Sequence, residues 1–283
     1  MSSVPERPRY QAEYWNDEGG RRWIRNMART DVMLRPLGES LLERAALQSG
    51  EWVLDVGCGG GITSARAAEL VGPAGKVVGV DISAPILEQA RAAFGDVPNL
   101  EFLLADAAAM KHGQRLFDVV LSRFGVMFFA NPVAAFDRLR RCTAPAGRIV
   151  FICWRAQEDN PWMARPAAAA FQALPVPPAP PPPDAPGPFA FADRQRIHGI
   201  LHAAGFRRID FERLDGRMLL GKPEEAVDFL SHAGPAADPI EKAAPRDAAA
   251  AVAAIRAVVK EFESAGGDVF ANYSCWMISA RPS

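Results

Sequence analysis

Val53-Leu54-Asp55-Val56-Gly57-Cys58-Gly59-Gly60-Gly61, running into Ile62-Thr63-Ser64, decides the fold of this chain. A short β-branched run passes into a glycine cluster, and the cluster into a segment of helical character. Glycine at 57, 59 and 61 lets the backbone turn sharply and lets a ligand approach with no Cβ in the way. A strand, glycine loop and helix in this order open a doubly wound α/β sheet, whose ligands sit beyond the carboxyl ends of the strands.

The same alternation extends outward from the loop. Trp52 to Val56 predicts a strand, and Ile62 to Val71 a helix stopped by Gly72-Pro73. Lys76 to Val80 is a second strand. Ser83 then reads as the N-cap of a helix through Phe94, with Pro85 in its first turn. Glu101 to Leu104, Phe117 to Leu121 and Arg148 to Cys153 continue the strands, with a helix from Pro132 to Thr143 before the last of these. Strands alternating with helices imply parallel pairing through right-handed crossovers.

The flanks differ in texture. Residues 10 to 47 read as helices, ending in the amphipathic run Leu37 to Leu47. Residues 155 to 188 read as an irregular connection with a dense proline tract from Pro175 to Pro188, stiff and extended. After it come a helix (Asp193 to Ala204), a strand (Phe206 to Leu214), two helices (Pro223 to His232, Arg246 to Ser264) and a last strand (Val269 to Ser279). The expected division is a helical N-terminal cap (1–48), a ligand-binding core (49–155), a Pro-rich lid (156–192) and a return to the core sheet carrying a helical insertion (193–283). A linker to a separate domain is the alternative for the tract, but too little chain follows it to build an independent fold.

Composition narrows the function. The chain has 283 residues, 49% hydrophobic and 23% charged, with a net charge of −1. There is no basic stripe of the kind nucleic-acid binding uses. The four cysteines, Cys58, Cys142, Cys153 and Cys275, are scattered without CxxC or Cys/His pairing, so reduced buried thiols are expected rather than zinc or disulfides. Met1 to Tyr14 is polar and unlike a signal peptide, and no apolar stretch approaches the ~20 residues of a membrane span. A cytoplasmic protein is expected.

The loop also selects its ligand. A dinucleotide fingerprint, GxGxxG, would place its third glycine at 62, where Ile62 stands. Asp55 precedes the glycines inside the strand end. A pyrophosphate is repelled by that carboxylate, whereas the ammonium of a methionine moiety is attracted. Asp81, ending the second strand, can accept two hydrogen bonds from a ribose diol. Asp106, after the third, can accept from the exocyclic amine of adenine. Ser122-Arg123-Phe124 closes the fourth strand, where the backbone would face the methionine portion.

DVGCGGG (55–61), GVDIS (79–83), AD (105–106), SRFG (122–125) and a proline-led helix before GRIVFICW (147–154) are together similar to the class I S-adenosylmethionine-dependent methyltransferases. The nearest flavour is the ubiquinone-biosynthesis-like and small-molecule natural-product branch. The resemblance is strong over about residues 50–155. It is looser in the N-terminus, where Tyr14-Trp15 and Gly20-Arg21-Arg22-Trp23, with the later Asn160-Pro161-Trp162, resemble one bacterial subgroup. It implies a Rossmann-like sheet of seven strands, mostly parallel with the last antiparallel. It also implies contacts to S-adenosylmethionine from Asp55, Gly57, Gly59, Asp81, Asp106 and Ser122; Cys58, Gly61, Ile82, Ser83, Ala107, Arg123 and Trp23 complete the expected cofactor-binding set. Gly60 departs from the pattern, since many relatives carry Thr or Ser there.

Methyl transfer is an in-line displacement in which positioning alone is worth roughly 7–11 kcal/mol, so no catalytic motif is required, and none is evident. His232, at a helix end, is the best of four poor histidine candidates for a base, and a helix C-terminus suits its charged form without catalysis. His198 and His202 stand at i and i+4 without an acidic partner and predict an exposed helix face; His112 falls in a turn. For the acceptor the expected side chains are Tyr14, Trp15, Phe124, Phe128, Arg155, Asn160 and Trp162; of Phe124, Phe128 and Phe129 one or two line the pocket and the rest are core, and packing under the lid is the alternative for Trp154 and Trp162. The apolar lid, with Phe189-Ala190-Phe191, predicts a small, partly hydrophobic methyl acceptor, with no metal, no nucleic acid, no membrane, and a monomer or homodimer. Two other readings stand beside this one: an adenosyl-binding module without methyl transfer, and an NAD-dependent oxidoreductase, which Ile62 and Asp55 disfavour.

Overall fold

The computed structural model describes residues 7–110, 116–177, 182 and 185–283; His112 and most of the proline tract lie outside them. Two N-terminal helices, α1 (Arg7–Asn16) and α2 (Glu18–Ala45), lead into β1 (Trp52–Val56), α3 (Ile62–Val71), β2 (Lys76–Asp81), α4 (Ala84–Phe94), β3 (Leu100–Leu104), β4 (Phe117–Arg123), α5 (Pro132–Cys142) and β5 (Thr143–Trp154). Then follow α6 (Pro161–Ala173), α7 (Arg194–Ala203), β6 (Phe206–Gly221), α8 (Pro223–His232), α9 (Ala237–Lys242), α10 (Pro245–Val259) and β7 (Val269–Pro282). The strands form one seven-stranded sheet in the order β3-β2-β1-β4-β5-β7-β6. It is mostly parallel, with an antiparallel hairpin at the C-terminus.

The central strands β1, β2 and β4 and the core of β5 are apolar because both sheet faces are covered there, whereas β3 at the sheet edge leaves Leu103 and Leu104 exposed. Val53, Leu54, Val77, Val119, Val120, Ile149 and Phe151 have at most 1% of their surface exposed. In β1 the residues Val53 to Asp55 pair both with Val77 to Gly79 of β2 and with Val119 to Leu121 of β4. This register brings Asp55, Asp81 and Arg123 to one edge, where the strands reverse order. On α2, Leu34, Leu37, Leu41, Leu42 and Ala45 recur at helical spacing and are buried. The helix ends at Ala46, left-handed at φ 49°. Arg148 of β5 donates to the orphan carbonyls of Ala45 (2.6 Å) and Ala46 (3.0 Å) while bridging Glu51, as a cation at a helix C-terminus should.

The chain forms two compact units: Met1–Trp154 with Ala185–Arg213 and Trp276–Ser283, and Arg155–Asp184 with Leu214–Cys275. In the first, Phe136 lies against Phe151, Phe191 and Phe206 with ring centroids 5.4–6.5 Å apart. All four rings are fully buried, each worth about 1.5–3 kcal/mol of transfer free energy. Phe191, expected in an apolar lid, is thus core: its carbonyl also accepts from the Cys153 thiol at 3.4 Å.

In the second unit α10 packs on α6 and α8. Here the sequence reading needs correction. Residues 161–173 are a helix, not an irregular connection: Pro161 sits at its first turn, where a missing N–H costs nothing, and Ala167 to Ala170 sustain it past Pro166. The helix expected from Arg246 to Ser264 ends at Val259, in a 3-10 turn and a bridge from Glu263 to Val269. The short α9 was not foreseen, and β6 runs seven residues beyond Leu214, to Gly221. Among the described residues of 156–192, α6 falls in the second unit and Ala185 onward in the first.

Candidate active site

The loop after β1 shows why glycine is needed there. Gly57, Gly59 and Gly61 have φ of +68°, +55° and +83°, a region other residues enter only with strain. At Gly57 a Cβ would also sit 2.8 Å from the Gly125 Cα, so backbone meets backbone. The Asp81 carboxylate at the end of β2 braces the loop, accepting from Gly59 N–H at 3.0 Å and from Ser83 N–H at 3.0 Å. Burial pushes the Asp81 carboxyl above the usual range, against backbone hydrogen bonds from Ser83, Gly59 and Ile82.

Beneath the loop lies Asp55, 1% exposed. Its carboxylate accepts from the Ser64 hydroxyl at 2.6 Å. Desolvation lifts its pKa from 3.8 to about 6, with Ser64 and the charge of Arg123 pulling the other way. A pocket opens here, lined by Asp55, the loop from Gly57 to Gly59, Thr63, Arg123 and Phe124, with Trp23 and Leu34 contributed by α2. Cys58, in the loop, is buried and its thiol is pushed well up by burial and by the two carboxylates, so it lines the wall rather than reacting.

The N-terminal helices roof this loop. The Trp23 indole nitrogen would lie 3.5 Å from a Cβ at Gly59, and it is buried with no hydrogen-bond partner. Met27 fills the space beside Gly60: a Cβ there would meet its sulfur at 2.4 Å. The missing Thr or Ser at 60 is thereby accounted for, since Met27 occupies the place of that side chain. Trp15 packs edge-on against Tyr14 (5.3 Å), Trp23 (6.3 Å) and Phe128 (5.2 Å). The α1–α2 turn is pinned by Ser83, whose hydroxyl donates to the Trp15 carbonyl, and by Asn16, which joins the Ile82 carbonyl and the Ala84 N–H.

At the end of β4, Ser122 does not present its side chain to the pocket. Its hydroxyl is fully buried, donating to Val56 O and accepting from the N–H groups of Gly125 and Val126. Phe124 follows at φ +66°, an unusual backbone for a bulky residue. Its ring stacks on Trp154 at 4.3 Å and 11°. Asp106 uses one oxygen on Ala108 N–H, and Ala107 is buried. Phe129 joins the core on Phe136.

Three residues expected at the acceptor lie in the second unit with structural partners. Asn160, fully buried, donates to the carbonyls of Ser274, Ala156 and Arg155 and accepts from Ser274 N–H. Arg155 is held by Asp159 and Asp215. Trp162 is 4% exposed in α6. In each case the side chain is engaged within the fold of the second unit. His232 caps the end of α8, its Nδ1 2.8 Å from the Asp228 carbonyl and beside the Asp228 carboxylate. His198 and His202 stack in the open on α7.

Sequence reasoning missed Met27, Asp31 and Thr63. Asp31 pairs with Arg123 across the pocket wall at 2.9 Å; helical spacing from Trp23 and Met27 could have placed it on the same face of α2.

Residues 53–147 match the methyltransferase domain family. The chain is similar to the aklanonic acid methyltransferase of Streptomyces sp. (strain C5), 36% identical over 118 residues that cover 41% of this chain and 54% of that one. It is similar to the ubiquinone/menaquinone biosynthesis C-methyltransferase of Stutzerimonas stutzeri (strain A1501), 26% identical over 185 residues, covering 62% and 72%. The chain thus spans about half the length of the Streptomyces relative. A Bacillus halodurans C-125 structure, solved as a candidate methyltransferase, shares the fold with a TM-score of 0.56 at 20% identity, covering 87% of this chain and 99% of that one.

Proposed function

With residues 53–147 a methyltransferase domain on the class I S-adenosylmethionine-dependent fold, we propose that this chain transfers a methyl group from S-adenosylmethionine to a small, partly hydrophobic metabolite. The observation that carries the reading is Asp55, a buried carboxylate held beside a glycine loop with its pKa raised to about 6. A buried acid is costly unless a cation joins it, and an ammonium supplies one where a pyrophosphate would add a second negative charge.

The residues present fit such a ligand. The glycine loop holds the positive φ that glycine adopts without strain, and the Trp23 N–H beside it is a buried donor lacking an acceptor. In this reading Asp55 and Arg123 hold the amino-acid end. Asp81 accepts from the ribose diol with the lone pairs left by Gly59 and Ser83, and Asp106 faces the adenine amine with Ala107 and Ile82 against the ring. S-Adenosylmethionine supplies a methyl group already activated on a sulfonium, so the chemistry needs no metal. Trp15, Trp23 and Phe128 give aromatic faces near that cation, each worth about 0.5–2 kcal/mol. Tyr14, Phe124 and Phe128 line the acceptor side and exclude water from it, and no residue is assigned as base. No helix among the described residues is long and apolar enough to cross a membrane; the four cysteines, all buried and free, suit a reducing cytoplasm.

Calorimetry tests the reading. S-Adenosylmethionine and S-adenosylhomocysteine are expected to bind and NAD is not. Asp81→Ala is expected to weaken S-adenosylhomocysteine by about 1–3 kcal/mol, the penalty for stranding hydrogen-bonding partners. NAD binding with neither adenosyl ligand overturns the function; unchanged affinity in the variant overturns the ribose placement.

A further inference from the structure

α2 changes character at Pro36, which lies inside the helix. Proline has no N–H, so the rung to the Val32 carbonyl is missing and the ring crowds that carbonyl. Both residues are exposed, and a helix yields most readily at such a point. Beyond the proline, Leu37, Leu41 and Ala45 are fully buried and Arg148 holds the helix end, so that half is fixed to the sheet. Ahead of it the buried positions include Gly19, Gly20, Arg22, Asn26 and Thr30, a face that is polar or lacks side chains and gives up little on exposure. Asn26 donates to the Arg22 carbonyl of its own helix at 2.9 Å, a bond that travels with it.

The far end of this first half is clasped to the turn between β2 and α4. Asn16 donates to the Ile82 carbonyl and accepts from the Ala84 N–H, both at 2.9 Å, and the Ser83 hydroxyl donates to the Trp15 carbonyl at 2.7 Å. Between clasp and proline, Trp23 lies beside Gly59 and Met27 against Gly60, so the roof rests on the loop that a ligand must enter. Asp31 pairs with Arg123 at 2.9 Å nearer the proline, where a swing moves atoms least. We propose that residues 7–35 are a lid that pivots at Pro36, clasped shut by Asn16, and that the adenosyl ligand enters and leaves when the clasp opens. This inference rests on the S-adenosylmethionine reading above and deepens it, adding control of access to the same site.

A lid that is closed in both the free and the bound chain has a kinetic signature. Opening limits entry and exit alike, so loosening the clasp speeds both and leaves their ratio unchanged. Stopped-flow binding of S-adenosylhomocysteine to the full chain reads this. Asn16→Ala, which removes the clasp on the Ile82 and Ala84 backbone, is expected to raise association and dissociation rates together, each about tenfold, with affinity held within about twofold. Pro36→Ala, which restores the missing rung, is expected to slow both severalfold. Hydrogen exchange locates the pivot: in the free Asn16→Ala chain residues 16–35 are expected to exchange faster, stepping back to wild-type values over 37–45. Rates unmoved by either variant, a change in dissociation alone, or exchange rising evenly through residue 45 overturns the lid while the cofactor reading stands. A wild-type chain that does not bind S-adenosylhomocysteine overturns both.

Discussion

Polar groups are treated differently at the carboxyl edge of β1, β2 and β4 and in the second unit. At the edge they are held at a cost. Asp55 is buried with its pKa raised to about 6, the Trp23 N–H lacks an acceptor, and Phe124 sits at φ +66°. In the second unit they close on one another. Asn160 closes on Ser274, Arg155 on Asp159 and Asp215, Arg165 on Glu261, and Lys222 on Asp268, with the buried Ser231 hydroxyl as an exception. At the edge a ligand can offset such costs; in the second unit the bonds named here serve the fold.

The largest expected effect lies on the satisfied side. Asn160→Ala removes four hydrogen bonds and strands the Ser274 N–H and carbonyl, so stability should fall by on the order of 3–4 kcal/mol. Urea unfolding measures this, and S-adenosylhomocysteine affinity of the folded fraction should not change. A stability loss under 1 kcal/mol, or a selective loss of affinity, would erase the contrast by making Asn160 a ligand residue.

Asp55→Asn should act in the opposite direction. Because the native carboxyl titrates near 6 rather than 3.8, the folded protein keeps a proton that the unfolded chain has already released between those values. Wild-type stability attributable to this group therefore falls as pH rises from about 4 to 6, and is flat above. Asparagine is uncharged throughout and keeps the Ser64 bond. It should gain on the order of 2–3 kcal/mol at pH 8 and nearly nothing at pH 4, while losing adenosyl affinity. Equal stability of the two proteins at pH 8 would show that Asp55 is not held at a cost.

His232→Ala sets the lower bound: turnover should stay within a fewfold, since the ring is half exposed and occupied with Asp228. A hundredfold drop in turnover with normal cofactor binding would make it a base and move catalysis into the second unit.

How far the sequence could be read follows the same division. The strands from β1 to β4, the loop and the acids beyond each strand were legible because backbone conformation and charge sign dictate those residues locally. α6 was not, because Pro161, Pro166 and the adjoining proline tract mask a helix that its alanines and its packing on α10 sustain. The full length of β6 was missed because its residues alternate with little apolar content, so pairing with β7 rather than composition extends it. The Arg123–Asp31 pair joins residues 92 positions apart, which no local pattern announces.

The sulfur of Met27 against Gly60 bears on how freely this protein could be rebuilt. A Thr or Ser at 60 would meet the Met27 thioether, so that side chain would have to turn aside or be smaller. Cap and loop are therefore coupled through one packing contact. A chimera that places a larger residue at 60 beneath these helices should need Met27 to move at the roof of the pocket.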